Sequence, residues 1–516
     1  MLDESVPRRV VPRWRSSWVA ATTPEARANK QGNASDLSST VRLAETEFRS
    51  NSSVPIASEL MFVASQSGNS KLAQEAARSI LVRKNDISTF SLIRSAQRVL
   101  SGNVEDSQTK TNNEFVRLGR KLLLQNYNNP ILLMDVAHAL TANGQSGSAE
   151  RFIRSALHFA PSNRFVLRSA VRYYLHVGQK DYAHNLLLKS PLLRGDPWIQ
   201  ASEIAVSSVL GKTSKFVKGV DRLLQEAPVL ALNFSELGSA IATVHLNSGS
   251  DKKAKKLFAK SLINPNDNTV AQAEWAARRL GLVVTEQALK VPLSFEANST
   301  HSYRSLEIEN SIQQAMQWLD DEPFSSRPIG WLGYLHSIND EFEKAAEYHQ
   351  RLVQLESQAS TADLLNLNFS RIESGSVEDA AFQLIELSRA ADIGAHSAHM
   401  FANAGALSYA TGDQESGRKS YQRAIDAAKA RSEANTEALV RAFFARAAVK
   451  YGDPRRDAIL EEATKHSTLN TNPGATHVLR RLVDTTRRAE LEVSALKKVA
   501  KQKVVWDSAT NTLTIR

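Results

Sequence analysis

From Pro130 the chain places Leu133, Val136, Ala137 and Leu140 at helical spacing and then breaks at Gly144. Positions i, i+3, i+4 and i+7 share one face of a 3.6-residue helix, and glycine is the usual punctuation after it. A second stripe follows, Ala149, Ile153 and Ala156, closed by Pro161. The pattern predicts two short helices joined by a tight turn. Further along, Gly178 lies 34 residues after Gly144, and Ala183 lies 34 after Ala149. The frame returns as Gly68 with Ala73 and Gly102; as Gly249, Ala254, Phe258 and Pro265; as Asp340, Phe342, Ala345 and Leu352; as Gly375 with Ala380; as Gly412 with Tyr421 and Ala424; and as Gly452. Gly211 and Gly281 mark weaker units whose second helices depart from the pattern. Small residues at a helix crossing let the backbones approach, and a larger neighbour fills the groove beside them. One pair cannot bury its apolar face alone, so stability requires stacking.

A period of ~34 residues is that of tetratricopeptide repeats. Over residues 50–465 the chain resembles this family, most closely in "GWLGYLHSINDEFEKAAEYHQRLVQLE". The resemblance implies an all-α, right-handed superhelical solenoid of antiparallel helix pairs, whose concave face binds peptides or partner proteins. The period alone shows only a helical array. Pentatricopeptide RNA readers have a similar unit, but their code needs paired polar residues at fixed positions of successive repeats. Asn366 and Asn403 recur at equivalent positions, yet Trp331 and Phe443 stand at the neighbouring ones.

Three segments leave the period. Residues 1–45 are rich in Ser, Asn, Arg and Pro and read as a mobile arm, or one docked on the array. Phase is lost at 283–305, where Pro292 cannot continue a helix. This segment reads as a hinge between an amino-terminal array, 46–282, and a carboxyl-terminal one, 306–495, or as a degenerate repeat with a long loop. Residues 496–516 form a basic tail, and "KVVWDSATNTLTIR" alternates apolar and polar residues around Ser508–Asn511. That alternation predicts a short β-hairpin, which needs the last helices or a partner strand to be stable.

Length and charge change the picture little. A chain of 516 residues exceeds one compact core, which an array accommodates. With no Cys, disulfides, thiolate zinc sites, iron–sulfur clusters and cysteine nucleophiles are excluded, and a cytoplasmic setting is expected. No run approaches the ~18 apolar residues of a spanning helix, so no membrane insertion is expected. Arg8, Arg9, Arg13 and Arg15 have no apolar core behind them, which argues against a secretory signal. The net charge of +10 would attract nucleic acid or acidic proteins.

Catalytic patterns are not evident. Gly211-Lys212-Thr213 matches the end of a phosphate-binding loop, but Val206 replaces the leading glycine and no strand precedes it, so it reads as a repeat turn. His396 and His399, three apart, lack further ligands nearby. Asp320, Asp321 and Glu322 ahead of Pro323 read as a solvated helix end. The expectation is a protein that is not an enzyme and has no cofactor or metal.

The binding candidates follow from the resemblance. Carrying the family's inner-face frame over places His138, Arg168, Arg172, Trp198, Trp275, Arg278 and Arg279 on the concave side of the amino-terminal half. In the carboxyl-terminal half it places Arg327, Trp331, Tyr334, Asn366, Phe369, Asn403, Arg446 and Lys450 there. Aromatic, Asn and Arg side chains are what peptide grooves use, although the tryptophans would serve equally to pack between repeats. Chaperone-binding members need Lys and Asn where Met134 and His138 stand, so that specialisation is not expected. Two basic patches remain: Lys252, Lys253, Lys255 and Lys256 on one second helix, and Arg480, Arg481, Arg487, Arg488, Lys497 and Lys498 near the carboxyl end. They read as a solvated outer face or as a phosphate-binding surface. The expected function is a scaffold that captures an extended or helical segment of a protein, an acidic one being a candidate. The alternative is a nucleic-acid-associated solenoid.

Overall fold

The computed structural model describes residues 11–15, 37–66, 69–83, 92–93, 96, 99–100, 108–226, 230–355, 359–390, 392–469, 472–484, 504–507 and 512–515. Gly68 and Gly102 of the early frame fall outside them. The architecture is helical, and two short segments, Val504–Asp507 and Thr512–Ile515, pair antiparallel with Trp506 opposite Leu513. Among the described residues no helix is long and apolar enough to cross a membrane. The chain forms two compact units. The first holds the described residues up to His301 together with Gln313–Pro328, and the second holds Ser302–Ile312 together with the chain from Ile329.

In the first unit, helix pairs follow one another as Pro130–Ala142 with Ser146–Phe159, Arg164–His176 with Lys180–Lys189, Pro197–Val209 with Val217–Glu226, and Leu232–Asn247 with Asp251–Ser261. Val54–Gln66 and Ser70–Val82 form an earlier pair, and Asp267–Leu280 is followed by the single turn Glu286–Leu289. The second unit contains Phe342–Leu355, Thr361–Glu373 with Val377–Leu387, Ser397–Ala410 with Gln414–Ala430, and Ala434–Lys450 with Arg456–Leu469. Phe295–Arg304, Ile308–Asp321 and Ser326–Ile338 contribute residues to both units.

One turn joins the pairs. After Pro130–Ala142, the amide of Gln145 donates to the carbonyl of Leu140 at 2.8 Å while Gly144 sits at φ 74°. This closure satisfies a helix-end carbonyl and demands the left-handed conformation that glycine adopts without a Cβ penalty. The same five-back bond recurs at Gln179→Tyr174, Lys212→Ser207, Ser250→His245, Leu282→Ala277, Glu341→His336, Ser376→Arg371, Asp413→Ser408 and Asp453→Ala448. Asp340 at φ 62° takes the glycine's place in the repeat nearest the family pattern. Gly211 makes this turn too, which accounts for the phosphate-loop-like triplet. Five first helices start on side-chain caps: Asn129, Asn163, Asp196, Asn266 and Ser360 each accept an amide of the first turn.

The small residues of the frame, Ala149, Ala183, Ala254, Ala345, Ala380 and Ala424, are fully buried. One close pair is Ser397–Ala410 against Gln414–Ala430. There a Cβ on Gly405 would stand 2.6 Å from the Tyr421 ring, and one on Gly417 would stand 2.6 Å from the Tyr409 ring. Each tyrosine lies over the other helix's glycine. The helices thus describe a tetratricopeptide-like solenoid.

Two segments left open by the sequence are partly described. Of residues 1–45, read as a mobile arm or one docked on the array, residues 11–15 are largely buried in the first unit, with Trp14 fully enclosed. Residues 37–45 belong to the helix Leu37–Ser50. The segment 283–305 holds the helices Glu286–Leu289 and Phe295–Arg304 on either side of Pro292. Ala297, Glu296 and Ser299 from it are buried.

Gly405→Val drives a branched side chain into Tyr421 and is expected to destabilise the protein by ~1–3 kcal/mol, read as a lowered thermal midpoint. An unchanged midpoint would contradict the interlock. In the second unit His349 lies over Gly333 and hydrogen-bonds Ser370 Oγ at 2.9 Å. Burial, with repulsion from His336, pushes its pKa down to about 3 from 6.5. The unfolded chain therefore takes up a proton between pH 6.5 and 3 that the folded chain refuses, and stability falls as pH falls through that window. Urea unfolding at pH 7 and pH 5 should show a loss of about 2 kcal/mol from this group, and His349→Gln should flatten the slope.

Candidate partner-binding face

In the first unit, side chains from the helices Pro130–Ala142, Arg164–His176 and Asp267–Leu280, and from residues 296–324, converge on a short stretch of the chain itself. Residues 11–15, Val-Pro-Arg-Trp-Arg, are neither helix nor strand. Pro12 has no amide to donate and holds Val11 away from the helical region. Asn268, in the first turn of Asp267–Leu280, donates to the Val11 carbonyl at 3.0 Å. Side chains of Arg13, Trp14 and Arg15 make the further contacts.

Trp14 packs edge-on to His138 at 5.2 Å and Tyr173 at 6.0 Å between ring centroids, and is tilted against Phe324 at 5.2 Å. These are favourable quadrupole geometries in addition to the area buried. Arg13 reaches Glu322 at 2.6 Å, Asp267 at 3.5 Å, and Glu296 in a short ion pair. Arg15 forks onto both oxygens of Asp321, at 2.7 and 2.9 Å, and contacts Asp267 at 2.8 Å. Two arginines of the array complete the cluster: Arg327 pairs with Glu296, and Arg172 lies 3.7 Å from Glu322 and 5.0 Å over the Phe324 ring.

The electrostatics follow from burial and mutual charge. Burial alone would raise the Glu322 carboxyl, but Arg13 and Arg172 hold it well below the usual range. Arg15 is driven the other way: Asp267 and Asp321 outweigh the cost of burial and raise it. Partial burial, and next the repulsion of Arg13, push the half-buried Arg327 down to about 9. Burial, and next Arg172, lower His176 to about 4, leaving a neutral ring 5.4 Å from Phe324.

Of the residues expected on the concave side, His138 and Arg172 of the amino-terminal half and Arg327 of the carboxyl-terminal half belong to this cluster. Arg168 lies on an adjoining pair, donating to Glu236 at 2.6 Å. Trp198 is instead a core residue, 2% exposed, with the Arg164 guanidinium 4.2 Å over its ring. Trp275 is half-buried and Arg278 exposed, while Arg279 binds Asp251 and the Leu246 carbonyl at the preceding turn.

In the second unit the expected anchors separate into two groups. Trp331 stacks on Tyr334 at 5.4 Å and meets Tyr303 edge-on at 5.0 Å, and the two tyrosine hydroxyls are 2.8 Å apart. The Gly474 amide donates to Tyr303 Oη at 3.1 Å, and a Cβ there would stand 2.1 Å from Tyr334 Oη. His477 and Arg481 of the following helix, 473–484, reach Asn339 Oδ1 at 3.2 and 2.7 Å. This helix therefore covers the aromatic group. Phe369 sits between Phe342 and Phe443, and Arg446 lies 4.3 Å over Phe342. Arg446 pairs with Asp340 and Glu373, and Lys450 shares Glu373 at 3.0 Å. Asn403 is buried, accepting from Asn368 and donating to the His399 carbonyl; Asn366 is half-buried. Trp331, Tyr334, Phe369 and Arg446 do not form one open groove.

The lysines 252, 253, 255 and 256 are exposed along Asp251–Ser261. Arg480 is exposed and Arg481 engaged as above, while Arg487, Arg488, Lys497 and Lys498 lie outside the described residues. His396 lies 3.5 Å from Asp392 and its ring is 6.3 Å from that of His399.

Sequence reasoning missed Arg13, Trp14 and Arg15. The available signal was a cation–aromatic–cation alternation after a proline. It also misread the acceptors: Asp321 and Glu322, expected at a solvated helix end, are buried.

No family model matches the sequence, and no curated protein matches it. Solved structures that resemble the chain include the APC/C hetero-tetramer Cut9–Hcn1, at 13% identity and TM-score 0.33, covering 89% of this chain and 94% of that one. Naa15/Naa10 bound to HypK-THB matches at 12% and 0.24, over 88% and 70%. The human IFIT1 dimer with PPP-AAAA matches at 15% and 0.30, over 76% and 94%.

Removing one partner of a buried ion pair typically costs ~3–5 kcal/mol, against under ~1 for an exposed pair. Glu322→Gln should therefore lower the urea midpoint strongly, while Asp181→Asn, which breaks the exposed pair with Lys212, should leave it nearly unchanged. Equal effects would contradict the burial of this cluster.

Proposed function

We propose that the protein is a non-catalytic scaffold or adaptor subunit, cytoplasmic in setting, that captures a segment of a partner protein on the side chains of its first helices. The observation that carries this reading is the seating of residues 11–15. A non-helical stretch of chain lies on that face and is gripped by an aromatic socket and a buried ion cluster. These are the elements that make peptide contacts strong: large aromatic area and forked arginine–carboxylate bonds. The strongly shifted groups, Glu322, Arg327 and His349, sit in buried pairs and packing contacts, which favours structural roles for them over acid–base work.

One observation favours a second reading, in which a helical face binds nucleic acid: Lys252, Lys253, Lys255 and Lys256 are all exposed on one helix. The readings separate by salt and nuclease. Four phosphate contacts would weaken binding about 100-fold between 50 and 200 mM salt. Affinity purification from the native host should return protein partners that survive nuclease and survive glutamate at all four lysines. Loss of every partner on nuclease treatment, together with loss in the lysine variant, would replace the scaffold reading with the nucleic-acid one.

A further inference from the structure

We infer that residues 11–15 act as a ligand in cis, and that the first unit's face admits partner segments in which an aromatic residue stands between two cations. This rests on the scaffold reading and names its partner chemistry and regulation. Three observations carry it.

The first is how the stretch is held. It pairs with no strand and extends no helix. Arg13 and Arg15 both reach Asp267 Oδ2, at 3.5 and 2.8 Å, while Trp14 between them enters the His138, Tyr173 and Phe324 socket. Residues i and i+2 on one side with i+1 on the other is the alternation of extended chain. It is how a peptide is read, through alternate side chains in separate sites.

The second is charge. Asp267, Glu296, Asp321 and Glu322 meet Arg172 and Arg327 from the array and Arg13 and Arg15 from the segment. Without the segment, Asp267 loses its contacts with Arg13 and Arg15, and Asp321 loses its contact with Arg15. Any occupant must restore two cations at i and i+2, so this face selects against acidic segments and phosphates. The acidic partner suggested by the chain's net charge does not suit it.

The third is energetic. Exchanging one Arg-Trp-Arg segment for another leaves the desolvation and pairing terms the same on both sides of the exchange. What protects the occupied face is covalent attachment, which sets an effective concentration on the order of millimolar for a short tether. A partner segment must exceed that advantage, or the amino-terminal stretch must first be drawn away. The face is then closed at rest and opened by competition.

The test uses a fluorescein-labelled peptide of residues 9–17 and anisotropy titration on the full chain. Two variants open the face. One is Arg13→Ala/Trp14→Ala/Arg15→Ala. The other carries a specific protease site between residues 16 and 36 and is cut after folding, so that native contacts form before the tether is severed. Both should bind the peptide at least ~100-fold more tightly than the uncut parent protein. A peptide with alanine for Trp14 should lose at least ~10-fold, and one with glutamate at both arginines should not bind. If the cut protein keeps its amino-terminal fragment and takes up no peptide, the stretch is part of the core and the inference falls. Tight binding of the glutamate peptide would overturn it as well. The nuclease-resistant purification is read independently, so either reading can fail while the other stands.

Discussion

Everything in this structure depends on how closely two short helices can approach within a pair. Where Gly405 and Gly417 face Tyr421 and Tyr409, no further atom fits between backbone and ring. Elsewhere buried alanines do the same work with one methyl group, and Gly333 lies beneath His349. Such a pair has too little apolar surface to be stable alone, so each leans on the next. The left-handed turn that closes the pair fixes where the second helix begins. Repeated along the chain, these local requirements bring the first helices of successive pairs onto a common side in the first unit.

That side is where the molecule departs from a plain stack. Buried carboxylates are tolerated only when paired and hydrogen-bonded, because taking an ion out of water costs several kcal/mol even after relaxation. The first unit buries Asp267, Glu296, Asp321 and Glu322 near one another, with the array's own Arg172 beside Glu322 and Arg327 beside Glu296. The amino-terminal Arg13 and Arg15 add two further cations, with Trp14 closing the site to water. In the second unit the aromatic group of Tyr303, Trp331 and Tyr334 is met by Gly474, where a larger residue would collide with Tyr334. Residues suited to gripping a partner are, in each unit, engaged by the chain's own segments.

The repeat frame was legible in the sequence because its signals are local. The turn at Gly144 is decided by residues within five positions, and the alanines at 149, 183 and 254 mark crossings between helices adjacent in the chain. Asp340 in a glycine position did not hide its repeat, since the flanking Phe342, Ala345 and Leu352 carry the stripe. The same frame put His138 and Arg172 on one side, and both line the site of residues 11–15. It could not say whether Trp198 faced out or in, because a helical tryptophan fits the pattern in both cases.

What only the tertiary structure decided is the occupancy of that side. Arg13 meets Glu322 across 309 residues and Arg15 meets Asp267 across 252. No periodicity links positions so far apart, and a Ser- and Arg-rich segment carries no helical or strand pattern of its own. Read singly, Arg13 and Arg15 bore only on the absence of a secretory signal, and the Asp320–Glu322 run looked like a solvated helix end. Their fate depends on a balance of burial and charge pairing that exists only once the helices have placed the four carboxylates together. The sequence by itself determined the helices, their turns and their spacing, through interactions a few residues long; tertiary structure determined which charges are buried and with whom, because that energy belongs to the assembled site.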